Sequence, residues 1–396
     1  MTAQFLVRVS GNDAPGITAK IAECIEKFQG KILDIEQAVT HSLLSLLVLI
    51  EAKEECAQNL EKDIRDGLKK FSLEINFSKT EGAYTIGDPA HRFVATIMAN
   101  EIMASFLAEV TRTLADASFN IDLIRKLSSA GLSTIELTCS SKERVNIPSI
   151  KEKLLGIAKK YPSVDIAVQR ENLYRRSKRL VVFDMDSTLT QGEIIDELAE
   201  LVGKKEEVAL LTQKAMNGEI DFQEALIRRV ALLKGLTRKD LDTIATNIKL
   251  SPGAGTLVKV LKRLGYRIAI ISGGFTYFVE RLKNDLGIHY AYANNLEMDG
   301  DIITGRLQGM IVDGNRKADL MDLIAQQEGI SLDQVIAIGD GANDIQMLKK
   351  AGLGIAFNPK AFTKAVVGTS ITHKSMESIL YLLGITDNDI AEMGLR

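Results

Sequence analysis

Two rhythms of apolar and polar positions run along this chain, and one replaces the other near residue 175. Before it, short alternating runs are separated by stretches with apolar residues every three to four positions. FLVRV from Phe5 predicts a strand and ITAKIAECIEKFQG a helix. ILDI at 32–35 and LSLLVLI from Leu44 predict two strands, CAQNLEKDIRDGLKKF a helix and SLEINFS a last strand. Displacing the chain by 88 residues lays Phe5 on Phe93, Asp34 on Asp122 and Leu44 on Leu132 without a gap. The second copy repeats the order through FVATI, SFLAEVTRTLADAS, NIDL, LSTIELT, IPSIKEKLLGIAKKY and VDIAVQR. Each copy is therefore βαββαβ, a ferredoxin-like unit. The joint, TEGAYTIGDPAH, is rich in turn formers.

After a basic link, LYRRSKR at 173–179, compact β-rich runs alternate with helical stretches: LVVFD, YRIAIIS, QVIAIGD and GLGIAF. This predicts a Rossmann-like α/β core, a mostly parallel sheet with helices on both faces. About 60 residues between the first run and SPGAG at 251–255 carry only helical periodicity, predicting a helical cap at a strand tip. The expected divisions are 1–82, 88–171 and 178–396, with the cap at about 194–250.

Composition narrows this little. A length of 396 residues fits two to four domains at ~100–200 residues each. A net charge of −3 gives no electrostatic footprint for nucleic acid or a membrane surface. The three cysteines (Cys24, Cys56, Cys139) are dispersed and read as reduced thiols. No signal-peptide pattern opens the sequence, and LLSLLVLI is too short to span a bilayer. A cytoplasmic protein is expected.

In open parallel sheets ligands lie beyond the carboxyl ends of the strands. Asp184, Asp186 and Ser187 end the first run, Ser272, Gly273 and Gly274 the second, and Asp340, Gly341, Asn343 and Asp344 the third. Lys317 stands alone in GNRKADL, and no histidine accompanies the set, which argues against Ser-His-Asp chemistry. Crowded carboxylates raise one another's pKa and stay ionised together around a divalent cation. Oxygen ligands suit Mg²⁺. A cation, a lysine and a hydroxyl describe a phosphate clamp. Asp184, already an anion, can attack phosphorus, whereas a serine would need a base. Asp186 can protonate the leaving alcohol and then deprotonate water.

DMDST, SGG, the spaced lysine and GDGAND, in this order over about 178–370, resemble the haloacid dehalogenase superfamily of phosphatases. The resemblance implies Asp184 as nucleophile, Asp186 as general acid/base, and Ser272 with Lys317 as the phosphate-binding pair. It implies Mg²⁺ on Asp184, the Asp186 backbone carbonyl and Asp340, with Asp344 orienting metal-bound waters. GE after DSTLTQ, AMNGEIDF and IRRVALLKG resemble the phosphoserine phosphatase branch. There Glu193 would meet the substrate ammonium, Arg229 would fork onto the α-carboxylate, Met216 and Phe222 would close the apolar side, and Gly273 and Asn343 would lie by the phosphate. On composition alone Glu193 is equally a helix-terminal charge, Arg228 and Arg229 a solvated face, and Met216 and Phe222 core.

The amino-terminal copies, with NDAPGI at the first strand–helix turn, resemble the ACT domain, a small-molecule sensor. Asp13, Pro15 and Gly16 would border a regulatory ligand such as serine; the second copy has Glu101, Met103 and Ala104 instead. The bland alternative is a turn and a cap. The resemblance also implies a homodimer. Rival readings are another small phosphate ester, transfer to an alcohol, and a sensor with a vestigial phosphatase half. Stereospecificity and Mg²⁺ against Mn²⁺ stay open.

Overall fold

A computed structural model describes the chain except residues 81–90, 130, 144, 162, 217, 218 and 396, and except the side chains at 216, 361 and 365. Most of the turn-rich joint therefore lies outside the described residues. The chain forms two compact units, Met1–Asp88 and Pro89–Arg396.

The first unit runs β1 (Thr2–Asn12), α1 (Ile17–Lys27), β2 (Lys31–Thr40), β3 (Leu43–Lys53), α2 (Ala57–Leu68) and β4 (Glu74–Lys79). Its antiparallel sheet has the order β2-β3-β1-β4. The helical period puts Ile17, Ile21 and Ile25 on one side of α1, and the strand period puts Val7, Val9, Leu46 and Val48 on one face of the sheet. These two faces close the core with Leu60, Ile64 and Leu68 of α2. Edge strand β2 is different: Ile32, Ile35 and Val39 are exposed.

The second unit opens with the same order: β5 (His91–Ala99), α3 (Ala104–Asp116), β6 (Asn120–Lys126), β7 (Ser133–Ser141), α4 (Ile147–Ala158) and β8 (Val164–Arg170), in the sheet β6-β7-β5-β8. Here β5 and β8 are buried on both faces. The outer face packs on the carboxyl-terminal core, where Met98 and Ala167 join its apolar cluster. Polar seams fix the joint. Asp165 accepts from the Thr372 backbone N–H at 2.7 Å and its hydroxyl at 2.9 Å. Gln169 donates to the Leu382 carbonyl at 3.0 Å, and Asp387 accepts from the Ser129 backbone N–H and hydroxyl. The basic link is partly internal, because Arg175 is buried between Glu136 and Glu171.

The remainder runs β9 (Leu180–Phe183), α5 (Ile194–Leu201), α6 (Lys205–Met216), α7 (Phe222–Ala231), α8 (Arg238–Asn247), α9 (Ala254–Arg263), β10 (Arg267–Phe275), α10 (Thr276–Leu286), β11 (Tyr290–Asp299) and β12 (Ile302–Gln308). It continues with α11 (Gly314–Gln327), β13 (Val335–Gly339), α12 (Ile345–Lys350), β14 (Leu353–Phe357), α13 (Ala361–Val366), β15 (Ser370–Ile371), α14 (Ser378–Leu382) and α15 (Asp387–Glu392). The seven-stranded sheet has the order β12-β11-β10-β9-β13-β14-β15 and is parallel apart from β12. Successive residues of β9 serve opposite layers: Val181 and Phe183 one, Leu180 and Val182 the other. The sheet is thus covered on both faces. The β11–β12 hairpin is absent from the predicted runs; Gly300 turns it at φ 59°, first of the two loop residues Gly300 and Asp301. No helix among the described residues is long and apolar enough to cross a membrane.

Candidate active site

The carboxyl ends of β9, β10 and β13 converge. Asp184 follows β9, its backbone N–H donating to the Ile338 carbonyl of β13 at 2.8 Å. Its Oδ1 accepts from the Met185 N–H at 2.8 Å and pairs with Lys317 Nζ at 2.8 Å. The chain then turns sharply, with Ser187 left-handed at φ 55° and its N–H on the Gly192 carbonyl. Asp186 is thereby aimed back into the cleft. Its Oδ1 accepts from the Ile194 N–H at 3.0 Å, and its Oδ2 lies 3.5 Å from Ser272 Oγ. Asp344, just past β13, accepts from Gly341 N–H and, at 2.8 Å, from Lys317.

Lys317 is fully buried between two carboxylates. Burial alone would depress its pKa; the charges of Asp184 and Asp344 outweigh that and raise it. Burial, then the neighbouring Asp344, pushes Asp184 well above the usual carboxylate range. Burial first and Glu193 second push Asp186 up to about 7, and burial pushes Asp340 up to about 6. Oxygens of Asp184, Asp340 and Asp344 lie within 4.8 Å of one another. A buried, all-oxygen set with an excess of negative charge fits a hard divalent cation.

The glycines leave room for nothing else. A Cβ on Gly274 would stand 2.7 Å from Asp186 Oδ2, and one on Gly339 2.4 Å from Asp344 Cγ. Gly273 lies under Phe222, whose ring would meet an added Cβ at 3.2 Å, with the Asn343 amide 3.6 Å away. Gly273 is held by Asn294, whose side chain donates to its carbonyl at 2.8 Å and accepts from Val312 N–H.

The cap helices α5–α8 bring the remaining charges. Glu193 precedes α5 but makes no cap bond; its Oε1 accepts from Ser187 Oγ at 3.1 Å and Lys360 Nζ at 3.0 Å. The two arginines of α7 separate. Arg228 pairs with Glu224 on the exposed face, whereas Arg229 is half-buried and donates to Thr212 Oγ1 and the Ala225 carbonyl. Among the described residues Arg229 has no ion-pair partner within 4 Å. The side chain of Met216 lies outside the described residues.

A haloacid dehalogenase-like hydrolase model matches residues 181–349, and ACT domain models match 3–78 and 90–169. A phosphoserine phosphatase of Streptomyces coelicolor is 37% identical over 390 residues, which are 98% of this chain and 93% of that one. The chain belongs to the phosphoserine phosphatase family. This family member is thus an enzyme with a hydrolase domain and two ACT domains. A solved HAD-family hydrolase from Salmonella enterica serovar Typhi matches at TM-score 0.65 and 28% identity, over 74% of this chain and 98% of its own. A solved structure described as a phospho-aspartyl intermediate analogue of phosphoserine phosphatase matches at TM-score 0.50 and 41% identity, over 52% of this chain and 98% of its own.

For this phosphatase family member the structure brings together Asp184, Asp186, Ser272, Lys317, Asp340 and Asp344, with Glu193, Gly273, Phe222 and Asn343 around them. Asp13, Pro15 and Gly16 belong to the first unit, at an exposed turn where Gly16 is left-handed at φ 96°. In the second copy Met103 takes the corresponding cap position with an extended backbone. Sequence reasoning missed three contributors. Thr188 donates to Asp340 Oδ1 at 3.1 Å, Asn294 supports Gly273, and Lys360 reaches Glu193 and, at 3.4 Å, Asp340. Lys360 stands three residues past β14, so reading the end of GLGIAF as the other strands were read would have found it.

Proposed function

We propose that this enzyme hydrolyses O-phospho-L-serine to L-serine and phosphate, the last step of serine formation, with Mg²⁺ and through an aspartyl phosphate. The observation that carries it is the buried Asp184 carboxylate, pinned by Lys317 and Met185 N–H beside Asp186 and Ser272. An Asp184 oxygen attacks phosphorus as the bond to the serine oxygen breaks. Asp186, with its pKa near neutrality, gives that oxygen its proton. Asp186 then takes a proton from water, whose oxygen attacks the aspartyl phosphate and frees phosphate and Asp184. Lys317 and Ser272 bind the phosphoryl oxygens. Mg²⁺ would be held by Asp184, the Asp186 carbonyl and Asp340, with Asp344 behind them. When bound, it offsets the negative charge that otherwise repels a phosphate ester.

The substrate reading rests on one anionic and one cationic anchor. Glu193 receives the ammonium and half-buried Arg229, with no ion-pair partner among the described residues, receives the α-carboxylate. Phe222 closes the apolar side, Gly273 and Asn343 border the phosphate, and the helices within 194–250 act as a lid. The test is phosphate release from phosphoserine, phosphothreonine and an aryl phosphate. A rate on phosphoserine no better than on the aryl ester would remove the amino-acid reading.

The domain limits that belong to this proposal are 1–82, 88–171 and 178–396. Regulation by serine or a related amino acid at Asp13, Pro15 and Gly16 belongs to this proposal. So do a homodimer, supported by the exposed apolar residues of edge strand β2, and a cytoplasmic setting.

Metal binding should depend on pH. A carboxyl whose folded pKa is raised contributes stability below its unfolded pKa near ~4, and that stability is lost as pH rises through the folded value. For Asp340 and Asp186 that loss extends to about 6 and about 7. Mg²⁺ would compete with the proton on Asp340, whose carboxylate would hold it. The rise in melting temperature on adding Mg²⁺ should therefore be larger at pH 8 than at pH 5.5, and EDTA should abolish it. An equal shift at both pH values would contradict a carboxylate site.

A further inference from the structure

Lys360 has no part in the chemistry described so far, yet it touches two of its carboxylates. Its Nζ lies 3.0 Å from Glu193 Oε1 and 3.4 Å from Asp340 Oδ2. Its backbone N–H donates to the Asp340 carbonyl at 3.2 Å, so the base of the side chain is tied to the strand end it serves. Glu193 is partly exposed, precedes α5 and makes no cap bond with it. A glutamate so placed has three side-chain torsions to order before it can receive a ligand, and that ordering costs free energy at the moment of binding. Two donors order it in advance. Ser187 Oγ and Lys360 Nζ both address Oε1. Among the described residues no hydrogen bond engages Oε2.

We propose that Lys360 is a positioning residue for substrate selection: it fixes Glu193 through one carboxylate oxygen so that the other faces the amino group of the substrate. The inference rests on Glu193 as the ammonium anchor. Lys360 also spans from that anchor to Asp340, so the part of the site that reads the amino group is built onto the part that handles the phosphate. Ser187 alone holds Oε1 by one neutral bond. A second, charged donor from another strand end holds the same oxygen from a second direction and more strongly.

The experiment compares phosphoserine with the phosphate ester of 3-hydroxypropanoate, which lacks only the amino group. The readout is the ratio of kcat/KM for the two esters with saturating Mg²⁺, in the full chain. In Lys360→Met the ratio should fall at least tenfold, mainly through KM for phosphoserine. Lys360→Arg, which keeps a cation of similar reach, should hold it within threefold of the wild type. Equal losses on both esters would overturn the inference, because Lys360 would then serve only Asp340. An increased ratio would overturn it too, since Lys360 would then be competing with the amino group. A wild-type ratio near one would sink the phosphoserine reading and this inference together, whereas a high wild-type ratio unchanged in Lys360→Met sinks the inference alone.

Discussion

Asp184→Asn should lower phosphate release from phosphoserine by at least ~10³-fold while the protein keeps its fold. Asparagine has the shape of aspartate, so the contacts at Oδ1, from the Met185 N–H and from Lys317, keep an oxygen acceptor. What is lost is the anion. An amide oxygen is a poor nucleophile, and the two carboxylates left beside the Ser272–Lys317 clamp are engaged elsewhere, Asp186 by the Ile194 N–H and Asp344 by the Gly341 N–H. The neighbouring hydroxyls cannot replace it. Ser187 Oγ donates to Glu193, Thr188 Oγ1 donates to Asp340, and among the described residues no imidazole is hydrogen-bonded to either. Removing one charge from a crowded nest also lowers repulsion, so the melting temperature without metal should stay within a few degrees of the wild type. Rapid acid quenching of the wild type with phosphoserine should trap one phosphoryl group on the peptide containing Asp184, and none in the variant. Full activity in Asp184→Asn would return Ser187 and Thr188 as nucleophile candidates.

The parts of this molecule that were legible in the sequence are those whose signal is periodic or terminal. Alternation and helical spacing gave both βαββαβ copies, because their helices and inner strands turn an apolar face to a core of their own. Reading the ends of three strands gathered Asp184, Asp186, Ser272, Asp340 and Asp344, because a parallel sheet brings its carboxyl ends to one side. Features decided by tertiary contact left no local trace. The second copy buries the outer face of β5 against the carboxyl-terminal core, although its sequence spacing resembles the first copy's. Arg175 looks like a solvated linker charge and is buried between two glutamates. β11 is mostly half-buried and mixed in composition, so neither period marks it. Arg228 and Arg229 are indistinguishable as letters; their helix phase alone sends one to solvent and the other toward Thr212.

Lys317→Met should cost the carboxyl-terminal domain about 3–5 kcal/mol, the range for removing one partner of a buried ion pair. The lysine amine touches both Asp184 and Asp344 at 2.8 Å and has no exposure to water. Methionine fills most of the volume but leaves two buried carboxylates facing each other. At roughly 2–4 °C per kcal/mol for a domain of this size, the transition should move down by about 10 °C. The sign of the pH dependence follows from the same charges. Without the lysine, whose charge counters the rise, the Asp184 carboxyl holds its proton to still higher pH in the folded state than when unfolded. The stability it contributes is then lost as pH rises, so the deficit should be larger at pH 8 than at pH 6. Adding Asp344→Asn should recover part of it, since the amide removes one of the two uncompensated charges; the double variant should melt above Lys317→Met although it carries one more substitution. Scanning calorimetry in EDTA at both pH values checks all three statements. A single variant melting within 2 °C of the wild type at pH 8 would mean that Lys317 does not balance this nest, and the phosphate clamp would need another cation.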